Sequence, residues 1–159
     1  MSKQFFACFF FLALFVCSAC DKNRIYEENI DIKDYNWKIA DVKEFSFAIT
    51  DTTKTYQIFF NVRNALGYEY YNLYLRQTLI GPDRSKLYSR LHEMYLMDPK
   101  TGEPLGSGAG DIFDHTFLAV KEQRFTKVGT YKLRLRQYMR KNPLAGIMAV
   151  GVKISVKEE

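Results

Sequence analysis

The sequence is poor in the residues on which stapled domains and most catalytic sites depend. Its three cysteines, Cys8, Cys17 and Cys20, all lie in the first twenty positions, so the rest of the chain can form no disulfide and must fold by packing alone. The two histidines, His92 and His115, are far apart, and no serine sits in a nucleophile-elbow motif. No catalytic residue is therefore assigned, and no pair of carboxylates can be placed across a cleft from spacing alone. Repeats and low-complexity tracts are absent, and no convincing helical period occurs. The charge of +5 from 23 basic and 18 acidic residues is a mild excess, without the basic tracts of a nucleic-acid binder.

One apolar run stands out, the twelve residues from Phe5 to Val16 behind Lys3. As a helix it would rise only about 18 Å against a hydrocarbon core of about 30 Å, too short for a comfortable span. It reads as an export signal. The small residues Ser18 and Ala19 lead directly into Cys20, the arrangement in which a signal peptide over 1–19 is removed and the new terminal cysteine receives a diacylglycerol. Cys17 stands where an aliphatic residue is usual. The alternative is a plain secretory leader cut nearby. The covalent lipid on Cys20 is the one prosthetic group expected, with no other cofactor.

The remaining 140 residues suffice for one domain with a core. Residues 20–40 are polar and charged and read as the lipidated N-terminus and a tether, with a short strand around Trp37. From residue 41 to 159 the apolar period is two. Phe45, Phe47 and Ile49 form one such row, Tyr56, Ile58, Phe60 and Val62 the next, and Tyr71, Leu73, Leu75 and Leu79 a third. Later, Tyr131, Leu133, Leu135, Gln137 and Met139 face opposite to Lys132, Arg134, Arg136, Tyr138 and Arg140, and Val150, Val152, Ile154 and Val156 follow. Leu87 to Met97 fits a helix face as well as a strand; the turn chemistry of Asp98-Pro99-Lys100-Thr101-Gly102 favours the strand. The pattern predicts an all-β fold, a two-sheet antiparallel β-sandwich of immunoglobulin-like or jelly-roll-like type.

Three stretches are candidate sites. Gly106, Gly108 and Gly110 alternate ahead of Asp111, Phe113 and Asp114, a loop that could contact a partner or ligand. It matches neither a dinucleotide fingerprint nor a phosphate loop. Its two aspartates could meet calcium, but the spacing is not that of an EF-hand, so no metal is assigned. Alternatively it is a structured turn whose aspartates accept backbone N–H bonds and whose Ile112 and Phe113 plug the core. The row Lys132, Arg134, Arg136 and Arg140 could dock an acidic surface or simply be a solvated strand face. Tyr68, Tyr70, Tyr71 and Tyr74 could stack on sugar rings or pack across strands.

Several segments together resemble the GldH family of gliding motility lipoproteins of Bacteroidota. They include Cys20-Asp21 with Asn23 to Glu28, Trp37, Val62-Arg63-Asn64, Gly110 to Asp114, Gly129-Thr130-Tyr131, and Leu144 with Gly146-Ile147. The resemblance implies a non-enzymatic envelope component acting beside other gliding lipoproteins and the type IX secretion machinery. It also implies an outer-membrane lipid anchor. Because Asp21 is followed by Lys22 rather than by a run of acids, the periplasmic face is expected before the cell surface. A carbohydrate- or peptidoglycan-binding sandwich is the alternative function.

Overall fold

The computed structural model describes residues 22–158. Eleven strands, β1 (Arg24–Asp31), β2 (Asn36–Trp37), β3 (Lys43–Ile49), β4 (Tyr56–Ala65), β5 (Asn72–Ile80), β6 (Lys86–Tyr95), β7 (Ser107–Ala109), β8 (Ile112–Gln123), β9 (Gly129–Gln137), β10 (Leu144–Ala145) and β11 (Ile147–Val156), form antiparallel sheets. One sheet has the order β1-β11-β4-β8-β7 and the other β3-β9-β5-β6, with β10 and β2 paired separately. The two large sheets face each other across one core, as the alternation predicted, because each strand has one apolar side that only the opposite sheet can cover.

The alternation maps onto that core. Phe45, Phe47 and Ile49 of β3, Tyr56, Ile58, Phe60 and Val62 of β4, Leu73, Leu75 and Leu79 of β5, and Tyr131, Leu133 and Leu135 of β9 are all buried. Leu87 to Met97 forms β6 and its continuation rather than a helix, and it pairs with β5 from Asn72↔Tyr95 to Ile80↔Lys86. At one end of the sandwich, rings gather closely: Phe125 and Tyr131 have centroids 4.6 Å apart, and Tyr56 meets Phe125 at 5.3 Å. Their phenols also hold the adjacent loops, Tyr56 Oη donating to the Asp51 carbonyl at 2.6 Å and Tyr131 Oη to that of Lys127 at 2.8 Å.

Three expectations are corrected. The segment read as a tether is part of the domain: β1 pairs with β11 from Arg24↔Ser155 to Asp31↔Ala149, and Tyr26 and Ile30 pack on the core. Trp37 is fully buried, its indole N–H donating to the Asp41 carbonyl at 2.7 Å. β1 looks polar because it is an edge strand with only one covered face, while its pairing partner lies far along the sequence. Tyr71, expected inward, precedes β5 and is 48% exposed, stacked on Tyr95. Ile112 is also exposed and Phe113 only half-buried, so neither plugs the core. Cys20 and the signal segment lie outside the described residues.

Candidate functional site

The glycine stretch is a β-hairpin, β7 pairing with β8 through Ser107↔Asp114, Gly108↔Phe113 and Ala109↔Ile112. Each glycine has a steric reason. A Cβ on Gly106 would lie 2.7 Å from the His115 ring, and one on Gly108 would lie 2.5 Å from the Phe113 ring. Both β8 rings thus lie over bare backbone. Gly110 has φ +66°, which a two-residue hairpin turn requires at its first position. Of the two aspartates, Asp111 is at the exposed tip, and its backbone carbonyl accepts from Leu66 N–H at 2.8 Å. Asp114 is held by its cross-strand neighbour Arg63 through two contacts of 2.8 and 3.1 Å. The expectation that both carboxylates accept backbone N–H bonds therefore does not hold for Asp114. Among the described residues, no three His, Cys, Asp or Glu side chains converge as metal ligands would.

Both histidines face amides. His92 Nε2 lies 2.8 Å from Gln77 Oε1, and His115 Nε2 lies 2.8 Å from Asn64 Oδ1. Burial holds each imidazole below its ordinary pKa; Arg90 adds to this at His92, while Asp114 opposes it at His115. Each ring is then neutral and can donate through Nε2 to the amide oxygen. Gln77 also reaches Tyr88, whose hydroxyl donates to Gln123 at 2.7 Å, so β5, β6 and β8 are tied by one polar chain.

The outer face of the second sheet is where charge and aromatic surface meet. The basic row on β9 divides in two. Lys132 and Arg134 both close on Glu44 of β3, Arg134 at 2.7 Å, and these two hydrogen bonds hold the Glu44 carboxyl below its ordinary range. Farther along, Arg136 lies directly across from Arg76 of β5, two like charges at one rung. Tyr138 answers both guanidinium groups, its ring centroid 4.3 Å from Arg76 Cζ and 5.9 Å from Arg136 Cζ. No ion-pair partner for Arg76, Arg136 or Arg140 occurs among the described residues, and the buried Arg76 Nε has no hydrogen-bond partner.

Beside this pair is an open hollow of about 540 Å³ lined by Tyr70, Tyr71, Tyr74, Leu91, Tyr138 and Arg140, among others. Tyr71 and Tyr95 stack at 5.9 Å, with an interplanar angle of 13°. Glu93 accepts from the Asn72 amide at 2.7 Å, and the Asn72 and Tyr74 bonds hold its carboxyl low. Glu93 in turn raises the phenols of Tyr74, through a hydrogen bond, and Tyr95, through its charge. The hollow therefore presents tyrosine rings with a guanidinium at its rim. Of the four tyrosines singled out from the sequence, Tyr68 is a core residue, its hydroxyl donating to the Asn72 carbonyl at 2.8 Å. The other three reach the hollow.

The structure thus assembles Arg136 and Arg140 with Tyr138 on one face and occupies Lys132 and Arg134 internally. Sequence reasoning missed Arg76, Leu91 and Tyr95. The outward phase of β5, opposite to Leu73, Leu75 and Leu79, was the available signal for Arg76.

The model of the GldH lipoprotein family matches residues 24–154. The chain is 32% identical to a "gliding motility lipoprotein GldH homolog" of Christiangramia forsetii, covering 97% of each sequence. It is 28% identical to the gliding motility lipoprotein GldH of Flavobacterium johnsoniae, over 92% of this chain and 94% of that one. Among solved structures, the VP2 subviral particle of infectious bursal disease virus superposes with a TM-score of 0.39 at 13% identity. That match covers 82% of this chain and 30% of the viral one, a likeness too loose to carry an argument.

Proposed function

Since the chain belongs to the GldH lipoprotein family, we propose that it is a lipid-anchored envelope component of the gliding motility apparatus. In this reading it is a non-enzymatic interaction protein that acts with other gliding lipoproteins and the type IX secretion machinery. Cys20 carries the lipid. Two or three acyl chains, at about 0.8 kcal/mol per buried methylene, make such attachment lasting, whereas one chain is reversible. The anchor is in the outer membrane on its periplasmic face, because Lys22 interrupts any acidic run after Cys20.

The observation that carries the interaction role is the Arg76–Arg136 rung around Tyr138. Like charges directly opposite in a sheet are unfavourable in the free protein, and an acidic partner removes that cost. Guanidinium groups already stacked on a tyrosine are ordered and weakly hydrated, and Arg and Tyr are the residue types that dominate interface energies. A photocrosslinker at Tyr138 in cells should capture envelope proteins, while one at Ala48 of β3 should not. Equal capture at both positions contradicts the proposed interface. Deletion in a gliding host should stop colony spreading, and unaltered spreading removes the motility assignment.

The tyrosine hollow supports a second reading, binding of glycan or peptidoglycan, since open tyrosine faces stack on sugar rings. Binding on a glycan array that Tyr70→Ala or Tyr74→Ala abolishes supports it; silence across the array rejects it.

A further inference from the structure

Pairing of β1 begins immediately after Lys22, since the Asn23 carbonyl accepts from Val156 N–H at 2.8 Å. Only three residue steps separate Cys20 from Asn23, a reach of about 10 Å at full extension. A domain so leashed has a fixed end toward its anchor. The same end collects the loop 50–55, the turn 81–85, the loop 124–128 and the end of β11, because Ile49↔Gly129 and Tyr56↔Val156 are terminal rungs of the two sheets. The aromatic tips of Tyr56 and Tyr131 hold two of these loops in place.

The charge at this end is lopsided. Lys54, Arg84, Lys86, Arg124, Lys127 and Lys157 stand against Asp51, Asp83, Glu122 and Glu158. Three of those carboxylates already have lysine partners, Asp51 with Lys54 at 3.7 Å, Asp83 with Lys127 at 3.0 Å, and Glu122 with Lys157. Arg84, Lys86 and Arg124 have no ion-pair partner among the described residues. Between the loops opens a hollow of about 520 Å³, lined by Lys54, Arg124 and Lys157 together with Thr53, Thr55 and Glu158. In the loop 124–128 of the same end, Val128 is 62% exposed.

We infer that this end of the sandwich is a membrane-contact surface, seated on the headgroups of an anionic bilayer, with lipid phosphate in the Lys54–Arg124–Lys157 hollow and Val128 among the headgroups. The inference rests on acylation of Cys20, which supplies the leash. Cations near an anionic surface gain attraction over a Debye length of about 8 Å, within the reach the leash allows. The tyrosine hollow, at the other end of the strands, is then directed away from the bilayer. The ten residues of β4 set the separation of the two ends at about 33 Å.

The test uses the whole acylated protein in vesicles of phosphatidylethanolamine and phosphatidylglycerol. With Cys20 acylated and Cys8 and Cys17 removed, Val128→Cys or Lys100→Cys is the single free thiol for a fluorophore. A headgroup-borne nitroxide should quench the label at 128 several-fold more than that at 100, and Lys54→Glu with Arg124→Glu should reduce the difference. Equal quenching at both positions, or a difference untouched by the charge reversal, overturns the inference. Intact mass on the same sample separates the two claims: a chain without acyl mass removes the anchor itself, whereas an acylated chain with equal quenching removes only the orientation.

Discussion

Replacing Trp37 by alanine distinguishes a folded N-terminal segment from a tether. The side chain is fully buried and its N–H is used by the Asp41 carbonyl. Burying an indole removes about 150–250 Å² from water, worth about 4–6 kcal/mol at about 25 cal/mol per Å². Large-to-small aromatic substitutions in cores lose about 3–5 kcal/mol. For a domain of this size that is a fall of about 10–20 °C in thermal midpoint, read by far-ultraviolet circular dichroism on the detergent-solubilised protein. Trp37 is the only tryptophan, so the unsubstituted protein should also show blue-shifted emission that moves red at the same midpoint. A midpoint lowered by less than about 2 °C, with emission typical of a solvated indole, would refute the placement of residues 24–40 in the domain.

Gly108→Ala brings a Cβ within 2.4 Å of the Ile112 carbonyl, a backbone atom that cannot turn aside, and should lower stability by about 1–3 kcal/mol in urea unfolding. Gly67→Ala meets nothing within 4 Å and should stay within about 0.5 kcal/mol, so equal losses would contradict the hairpin packing. Because burial lowers the pKa of His92 and His115 in the folded protein, the unfolded chain binds more protons once pH falls below about 6.5. Their stability is complete above that pH and is lost as pH falls toward and through the folded values. Urea midpoints near pH 7.5 and pH 5 should therefore diverge, and His92→Gln with His115→Asn should narrow the gap; the Glu44 carboxyl adds its loss only below about 4.5. Arg136→Ala removes a like-charge rung and should leave stability unchanged or raise it by up to about 1 kcal/mol, while weakening crosslinking from Tyr138. A destabilised protein with undiminished crosslinking would count against the interface.

The strands legible in the sequence are those with one wet and one dry face. β4 and β9 alternate cleanly because each packs its apolar side on the opposite sheet and shows the other to solvent. β1 was illegible because its burial pattern hardly alternates and its stability comes from backbone pairing with a strand more than a hundred residues away. β7 is three small residues with no period at all, and its glycines made sense only once His115 and Phe113 were seen lying over them. At the candidate site, the outward phase of β9 was readable. Which of its cations were already satisfied was not, because Glu44 precedes Arg134 by 90 residues, and register alone brings Arg76 opposite Arg136.

Intact mass of the protein purified from its native membrane tests the anchored account most directly. The mature chain should begin at Cys20 and carry the added mass of a diacylglycerol, with or without a further acyl chain on the amino terminus. A chain of unmodified mass, or one beginning at another residue, would contradict it.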